Sequence, residues 1–137
     1  MQHESELWVG RRPTICGMDL RDYVRDVPDF PEPGIVFRDI TPLLKEPAAL
    51  GETVDGLVRC VRALAADVIV GVESRGFLFG APLADRLGLP FVPVRKPGKL
   101  PAARMSVEYA LEYGRSQLDI HSDCMEPGST VVVVDDV

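Results

Sequence analysis

Two aspartates, Asp135 and Asp136, follow directly on the run VVVV at residues 131–134. Adjacent carboxylates at the tip of an apolar strand can accept hydrogen bonds from a vicinal diol, help hold a hydrated divalent cation, or do both. They can equally form a polar strand end or cap a helix. A second group lies in GVESRGFLFG, where Glu73, Ser74, Arg75 and Gly76 fall between an apolar strand and a helix. Backbone N–H groups and the helix dipole favour an anion there, and the forked guanidinium of Arg75 suits phosphate. The plainer alternative is a glycine turn with Arg75 paired to an acid. The spacing is neither the dinucleotide fingerprint nor the P-loop. The third group is Arg95, Lys96 and Lys99 in VRKPGKLP, a dense positive cluster that reads either as a solvated charge run or as a polyanion site. Cations converging beside two carboxylates are what a phosphorylated sugar with hydroxyls and a metal requires.

Weaker candidates remain. Glu112 and Tyr113 in LEYG can set a carboxylate and an aromatic ring over a ligand, and surface burial explains them equally well. Phe37 and Arg38 can line a pocket for a flat ring, with aromatic core packing as the alternative. His3 and His121 are isolated, and Cys60 adjoins an apolar helix stripe as a packing cysteine. No close nucleophile–base motif or repeated metal-ligand spacing is present.

The elements that must position these groups follow from periodicity and breakers. Leu20, Val24 and Val27 recur at helical spacing near the start, and four prolines between residues 28 and 42 then exclude helix over most of that stretch. From Pro47 onward, Leu50, Val54, Leu57, Val58, Val61, Leu64 and Ala65 predict an amphipathic helix. DVIVGV predicts a buried strand. FGAPLADRLG predicts a helix with Pro82 in its first turn and Gly88 as C-cap, LPFVPV a second strand, and VVVV a third, apolar on both faces. This alternation is the grammar of an α/β domain with a largely parallel sheet, whose ligands lie beyond the carboxyl ends of the strands. Residues 95–127 are too long for an ordinary connection. In SQLDIHSD, Leu118 and Ile120 alternate with polar residues, predicting a half-exposed strand paired in a hairpin with part of VEYALEY.

At 137 residues one domain is expected. The formal charge of −6 argues against a general nucleic-acid binder. No stretch approaches the roughly 20 apolar residues of a membrane helix, and the start lacks the pattern of a secretory leader. Three well-separated cysteines, Cys16, Cys60 and Cys124, fit a reducing, cytoplasmic compartment.

The segments DFPEPGIVFRDITPLL, ESRGFLFGAPLADRLG, VRKPGKLP, LEYG and EPGSTVVVVDDV, in this order, closely resemble the adenine phosphoribosyltransferase family across residues 29–137. The resemblance implies a type I phosphoribosyltransferase fold: a mostly parallel central sheet flanked by helices, with a hood to which residues 28–44 contribute. Residues 1–27 would be a variable, helical leading segment and 28–137 the catalytic domain. The implied reaction joins adenine to 5-phosphoribosyl 1-diphosphate, giving AMP and diphosphate, with Mg2+ held mainly through substrate and not by dedicated protein ligands. Asp135 and Asp136 would take the ribose hydroxyls. Ser74, Arg75 and Gly76 would form the diphosphate loop, with a cis peptide between Glu73 and Ser74. Arg95, Lys96 and Lys99 would meet phosphates, some of them across a homodimer interface. Glu112 would assist proton transfer at adenine, with Tyr113 beside it, and Arg75 would stabilise the leaving group. Val36, Phe37 and Arg38 would read and stack on the base. In the family a Gly/Thr-rich turn for the 5-phosphate follows the two acids. This sequence reads as ending before it, with the sheet incomplete at the C-terminus and little or no turnover expected of the shortened chain. The alternative function is an inactive isoform or a regulatory, ligand-binding relative.

Overall fold

The structure, a computed structural model, describes residues 18–111 and 114–136. Two compact units, Met1–Gly56 and Leu57–Val137, divide the chain inside one helix.

In the first unit a single 3-10 turn, Leu20–Tyr23, is capped by the Asp19 carboxylate, which accepts the Arg21 N–H at 3.1 Å. Strand β1 (Arg25–Pro28) then pairs antiparallel with β2 (Val36–Asp39). The helical spacing of Leu20, Val24 and Val27 therefore does not carry through residue 27. Extended pairing sets Arg25 opposite Asp39 and Asp26 opposite Arg38, and both couples form ion pairs. Opposite charges directly across a ladder favour that register, and Val27 gains Phe37 as its partner. Helix α1 (Thr41–Lys45) starts where the Asp39 carboxylate accepts the Thr41 N–H at 2.9 Å. Helix α2 (Pro47–Arg62) starts at the proline, whose missing donor costs nothing in a first turn. It stops short of Leu64 and Ala65: Leu64 is exposed and Ala65 adopts a left-handed φ of 48°. Cys60 is exposed on this helix and not packed.

The second unit carries a parallel sheet of β3 (Val68–Val72), β4 (Phe91–Val94) and β7 (Val131–Val134), ordered β4-β3-β7. Its middle strand is apolar and buried, as a strand covered on both faces must be. One face packs under α3 (Arg75–Leu87), whose buried residues Gly76, Phe79, Gly80, Leu83 and Ala84 recur every three or four positions. On the other face Val68, Val70 and Val92 form a cluster with Val94, Ile120, Cys124 and Met125. The antiparallel hairpin of β5 (Arg104–Leu111) and β6 (Gly114–His121) matches the predicted excursion. It joins the sheet through one antiparallel bridge, Arg95 with Asp119. Together these elements make the α/β architecture that the sequence grammar predicts.

Two differences bear on the site. Helix α3 begins at Arg75, so Pro82 lies inside it and not in its first turn. Gly88 does cap its end, with a φ of 65° and its N–H directed to the Ala84 and Asp85 carbonyls. Strand β7 is less buried than its four valines predict, because Val131 and Val133 project from one face and Val133 is 63% exposed.

Close approach at three glycines sets how α3 lies on the sheet. The Phe91 ring occupies the space that a Cβ at Gly71 or Gly80 would need, with ring carbons 2.7 and 2.8 Å away. At Gly76 a Cβ would come within 2.4 Å of the Val134 carbonyl oxygen. That obstacle is backbone and cannot rotate away, so Gly76→Ala is expected to push the start of α3 off β7. A loss of about 1–3 kcal/mol is the usual scale for such overpacking, and urea denaturation measures it.

In the first unit, hydrogen bonds from the Thr41 hydroxyl and amide, and then from Arg25, hold the Asp39 carboxyl at about 2. A folded value below the unfolded one contributes stability that is full above the unfolded value and lost as pH falls through the folded one. Asp39→Asn is therefore expected to be less stable than wild type at neutral pH. That gap should close between the ordinary carboxylate value of about 4 and about 2. Denaturant titrations across this range test it, and a gap independent of pH would contradict it.

Candidate active site

Because β3, β4 and β7 are parallel, their carboxyl ends share one edge, with Val72 level with Val94 and Gly71 with Val134. Residues 73–76, 95–99 and 135–136 therefore leave the sheet side by side. The three groups singled out by residue type converge at this edge.

The loop after β3 turns on a cis Glu73–Ser74 peptide, as the resemblance implies. Ser74 precedes α3 with its side chain making no cap hydrogen bond. First-turn amides of a helix mostly lack an intrahelical acceptor, so the start of α3 suits an anion, with the Phe77 N–H already donating to the Ser74 carbonyl at 3.2 Å. Arg75 Nε stands 2.8 Å from Asp136 Oδ2. The Asp136 N–H in turn donates to Asp135 Oδ1 at 2.9 Å. Burial pushes the Asp136 carboxyl above the ordinary carboxylate range, opposed by the Arg75 charge and reinforced by Asp135. Asp135 itself is exposed.

Glu73 faces the basic segment. Its Oε2 accepts the Lys96 N–H at 2.8 Å and lies 3.4 Å from Arg95 Nε, while its own N–H donates to the Val94 carbonyl at 2.9 Å. The Lys96 amide is the main cause of a Glu73 carboxyl held below its usual value; Arg95 and Lys99 add to it and burial opposes it. Arg95 Nη1 also reaches the Lys99 carbonyl at 3.5 Å. Arg95 is thus engaged in shaping the segment, while Lys96 and Lys99 are exposed.

Val36, Phe37 and Arg38 lie on β2 in the first unit. Val36 is 51% exposed. The Phe37 ring meets Phe30 edge-on with centroids 5.3 Å apart, and Arg38 is paired with Asp26. Glu112 and Tyr113 lie outside the described residues.

The side chain that sequence reasoning missed is Asp119. Taking Leu118 and Ile120 as the inward positions of β6 assigns Asp119 to solvent, yet it is 1% exposed. Its Oδ1 accepts the Ser106 hydroxyl at 2.7 Å and the Gln117 amide at 2.6 Å. Arg104 Nε stands 3.3 Å from Oδ2, which has no partner of full hydrogen-bond geometry. Ser106, Gln117 and Arg104 were visible beside it as polar residues on the two strands. What burial the strands undergo was not.

Among the described residues no helix is long and apolar enough to cross a membrane. Nor does any group of three His, Cys, Asp or Glu residues there suit a metal ion.

The model of the phosphoribosyl transferase domain matches residues 51–137. An adenine phosphoribosyltransferase of Gloeobacter violaceus is 62% identical over 120 residues, covering 88% of this chain and 70% of that protein. The crystal structure of the adenine phosphoribosyltransferase from Thermoanaerobacter pseudethanolicus superposes with a TM-score of 0.82 at 52% identity, covering 85% of this chain and 68% of the other. The Saccharomyces cerevisiae enzyme, solved with adenine and an imino-altritol bisphosphate, gives a TM-score of 0.79 at 40% identity over 85% and 69% of the two chains. With the parallel sheet and the three loops at its carboxyl edge, these matches establish that the chain belongs to the phosphoribosyltransferase family, among the adenine phosphoribosyltransferases.

Proposed function

We propose that this protein transfers the phosphoribosyl group of 5-phosphoribosyl 1-diphosphate to adenine, giving AMP and diphosphate in purine salvage. The observation that carries the proposal is the carboxylate–cation array at one sheet edge, centred on the 2.8 Å contact of Arg75 with Asp136. It pairs diol acceptors with polyphosphate donors within a chain whose relatives bear this activity in name.

In this reading the Asp135 and Asp136 carboxylates accept hydrogen bonds from the ribose 2- and 3-hydroxyls. Such donors offset the burial that disfavours ionised Asp136. Ser74, Arg75 and Gly76, with the α3 amides, hold the diphosphate, and Arg95, Lys96 and Lys99 add positive charge around it. The bond from the anomeric carbon to the diphosphate oxygen breaks, and its electron pair leaves on diphosphate. An adenine ring nitrogen forms the new bond to that carbon and gives up its proton, with Glu112 as the acceptor and Tyr113 beside it. Charge grows on the leaving group and on the oxocarbenium-like carbon. Donors fixed in advance at that place lower the barrier without reorganising. Val36, Phe37 and Arg38 read and stack on the base on the strength of the family resemblance. A homodimer belongs to the same proposal.

The residues present fit magnesium held mainly by substrate oxygens. The described chain offers no three-ligand cage, but Asp135 and Asp136 are hard oxygen donors of the kind the ion takes. When bound it supplies positive charge beside the diphosphate and ribose oxygens. No specific observation favours the inactive or regulatory alternative, since the cation and carboxylate sets assemble at one edge.

AMP formation is the direct test. With 5-phosphoribosyl 1-diphosphate and magnesium present, the protein is expected to consume adenine and to leave guanine and xanthine unreacted. A mismatched edge would leave buried polar groups without partners. Failure with adenine, or equal turnover of guanine, would sink the proposal. Arg75→Gln is expected to lower kcat/KM by about 10²–10³-fold, the scale for one lost charge-stabilising donor. Because Arg75 opposes the upward shift at Asp136, the same substitution should raise the Asp136 pKa further. Carboxyl-carbon NMR titration of the two proteins reads that change.

A further inference from the structure

Glu73 is the last residue before the Ser74, Arg75, Gly76 group, and the function proposed above gives it no part. Its backbone N–H donates to the Val94 carbonyl at 2.9 Å, which ties the end of β3 to the end of β4. Its side chain reaches farther along the neighbouring loop. One carboxylate oxygen, Oε2, accepts the Lys96 N–H at 2.8 Å and stands 3.4 Å from Arg95 Nε. The Arg95 guanidinium continues the chain of contacts, with Nη1 at 3.5 Å from the Lys99 carbonyl.

These contacts run from the loop after β3 across the basic turn to its far end. Within the turn Gly98 has a left-handed φ of 78°, and Leu100 just after it is buried. Lys96 and Lys99 stay exposed, whereas the Glu73 side chain is only 15% exposed. A carboxylate largely withdrawn from water is costly unless its charge is compensated. Here the compensation comes from the Lys96 amide and the Arg95 guanidinium, so the ionised group and the turn hold each other in place.

We infer that Glu73 is a positioning residue: its carboxylate fixes the basic turn against the loop that carries Ser74, Arg75 and Gly76, so that both present their donors to the diphosphate end of one substrate. It touches no reacting atom. The inference deepens the function proposed above and rests on it, but the hold itself is measurable without substrate. Most of the hold lies in the Lys96 bond, which is the shorter of the two and charge-assisted. Glutamine keeps a carbonyl oxygen for that bond and loses the charge; alanine loses both. Neither substitution removes the backbone bond to Val94 or the backbone bridge of Arg95 with Asp119. The sheet edge is therefore kept, and release of the turn starts at Lys96.

Exchange of the Lys96 amide hydrogen without ligand tests the hold. In the wild-type protein and in Glu73→Gln it is expected to be at least about tenfold slower than in an unstructured peptide of the same sequence, and Glu73→Ala is expected to lose that protection. Unprotected exchange in the wild-type protein overturns the inference, whether or not a variant folds. Calorimetry with 5-phosphoribosyl 1-diphosphate and magnesium, in the absence of adenine, tests the consequence. Glu73→Ala is expected to raise Kd about tenfold, the scale of one lost hydrogen bond to a charged group, and Glu73→Gln to recover most of that loss. An unchanged Kd in the alanine variant, or no recovery by glutamine, contradicts the inference. The carboxyl-carbon titration of Asp136 should be the same in Glu73→Ala as in the wild-type protein. A shifted titration marks a general loosening of the edge and a merely structural role, which also overturns it. A wild-type protein that binds 5-phosphoribosyl 1-diphosphate but forms no AMP fails the proposed function alone, because neither the exchange nor the calorimetry requires turnover.

Discussion

The approach of α3 to the end of β7 is the contact on which the site depends. Gly76 lies so close to the Val134 carbonyl that no side chain fits between them. This closeness brings the first turn of the helix, with Arg75, against the residue pair that follows the strand. The consequence is the 2.8 Å contact of Arg75 with Asp136. A parallel sheet makes such a meeting available, because its strands deliver their carboxyl ends to one edge. Small residues at the crossing set how near the helix comes. Phe91 makes the same demand farther along, filling the space left at Gly71 and Gly80.

From that arrangement come two carboxylates with opposite electrostatics at one sheet edge, Glu73 after β3 and Asp136 after β7. Glu73 is held below its usual value by a backbone amide and neighbouring cations. It is committed to shaping the protein, and its charge is already satisfied. Asp136 is pushed up by burial even with Arg75 beside it. Hydroxyl donors or further positive charge beside it would favour the ionised form. A carboxylate perturbed by desolvation beside a specific charge partner is the pattern of a candidate binding group.

Much of this was legible in the residues. The apolar runs DVIVGV, LPFVPV and VVVV marked the strands, and the charged groups at their ends marked the edge, because strand period and loop position are local properties. The family resemblance then gave those groups roles that spacing alone left open. Three things were not legible. Leu20, Val24 and Val27 fit helical spacing, but cross-strand charge pairs with β2 decide the conformation of Arg25 and Asp26, and those partners lie more than ten residues away. The start of α3 was hidden because Pro82 imitates a first-turn proline, although the helix tolerates it as an interior residue. Asp119 was hidden because alternation reports which residues share a face, not which face is covered.

The positive groups at the edge therefore fall into two sets. Arg75 and Arg95 are engaged with Asp136 and Glu73, and each guanidinium spans two loops at the sheet edge. Lys96 and Lys99 are exposed on a turn whose backbone is held from both sides. A flexible lysine on an unanchored loop loses much of its binding energy to ordering on contact. Anchoring the backbone under the lysines removes part of that cost before a ligand arrives, while the two side chains stay exposed. In a chain of net charge −6 this local excess of cations sets one edge apart, and in the function proposed above it is what would draw a polyanion there. Glu73, accepting the Lys96 N–H, anchors that cluster from beneath.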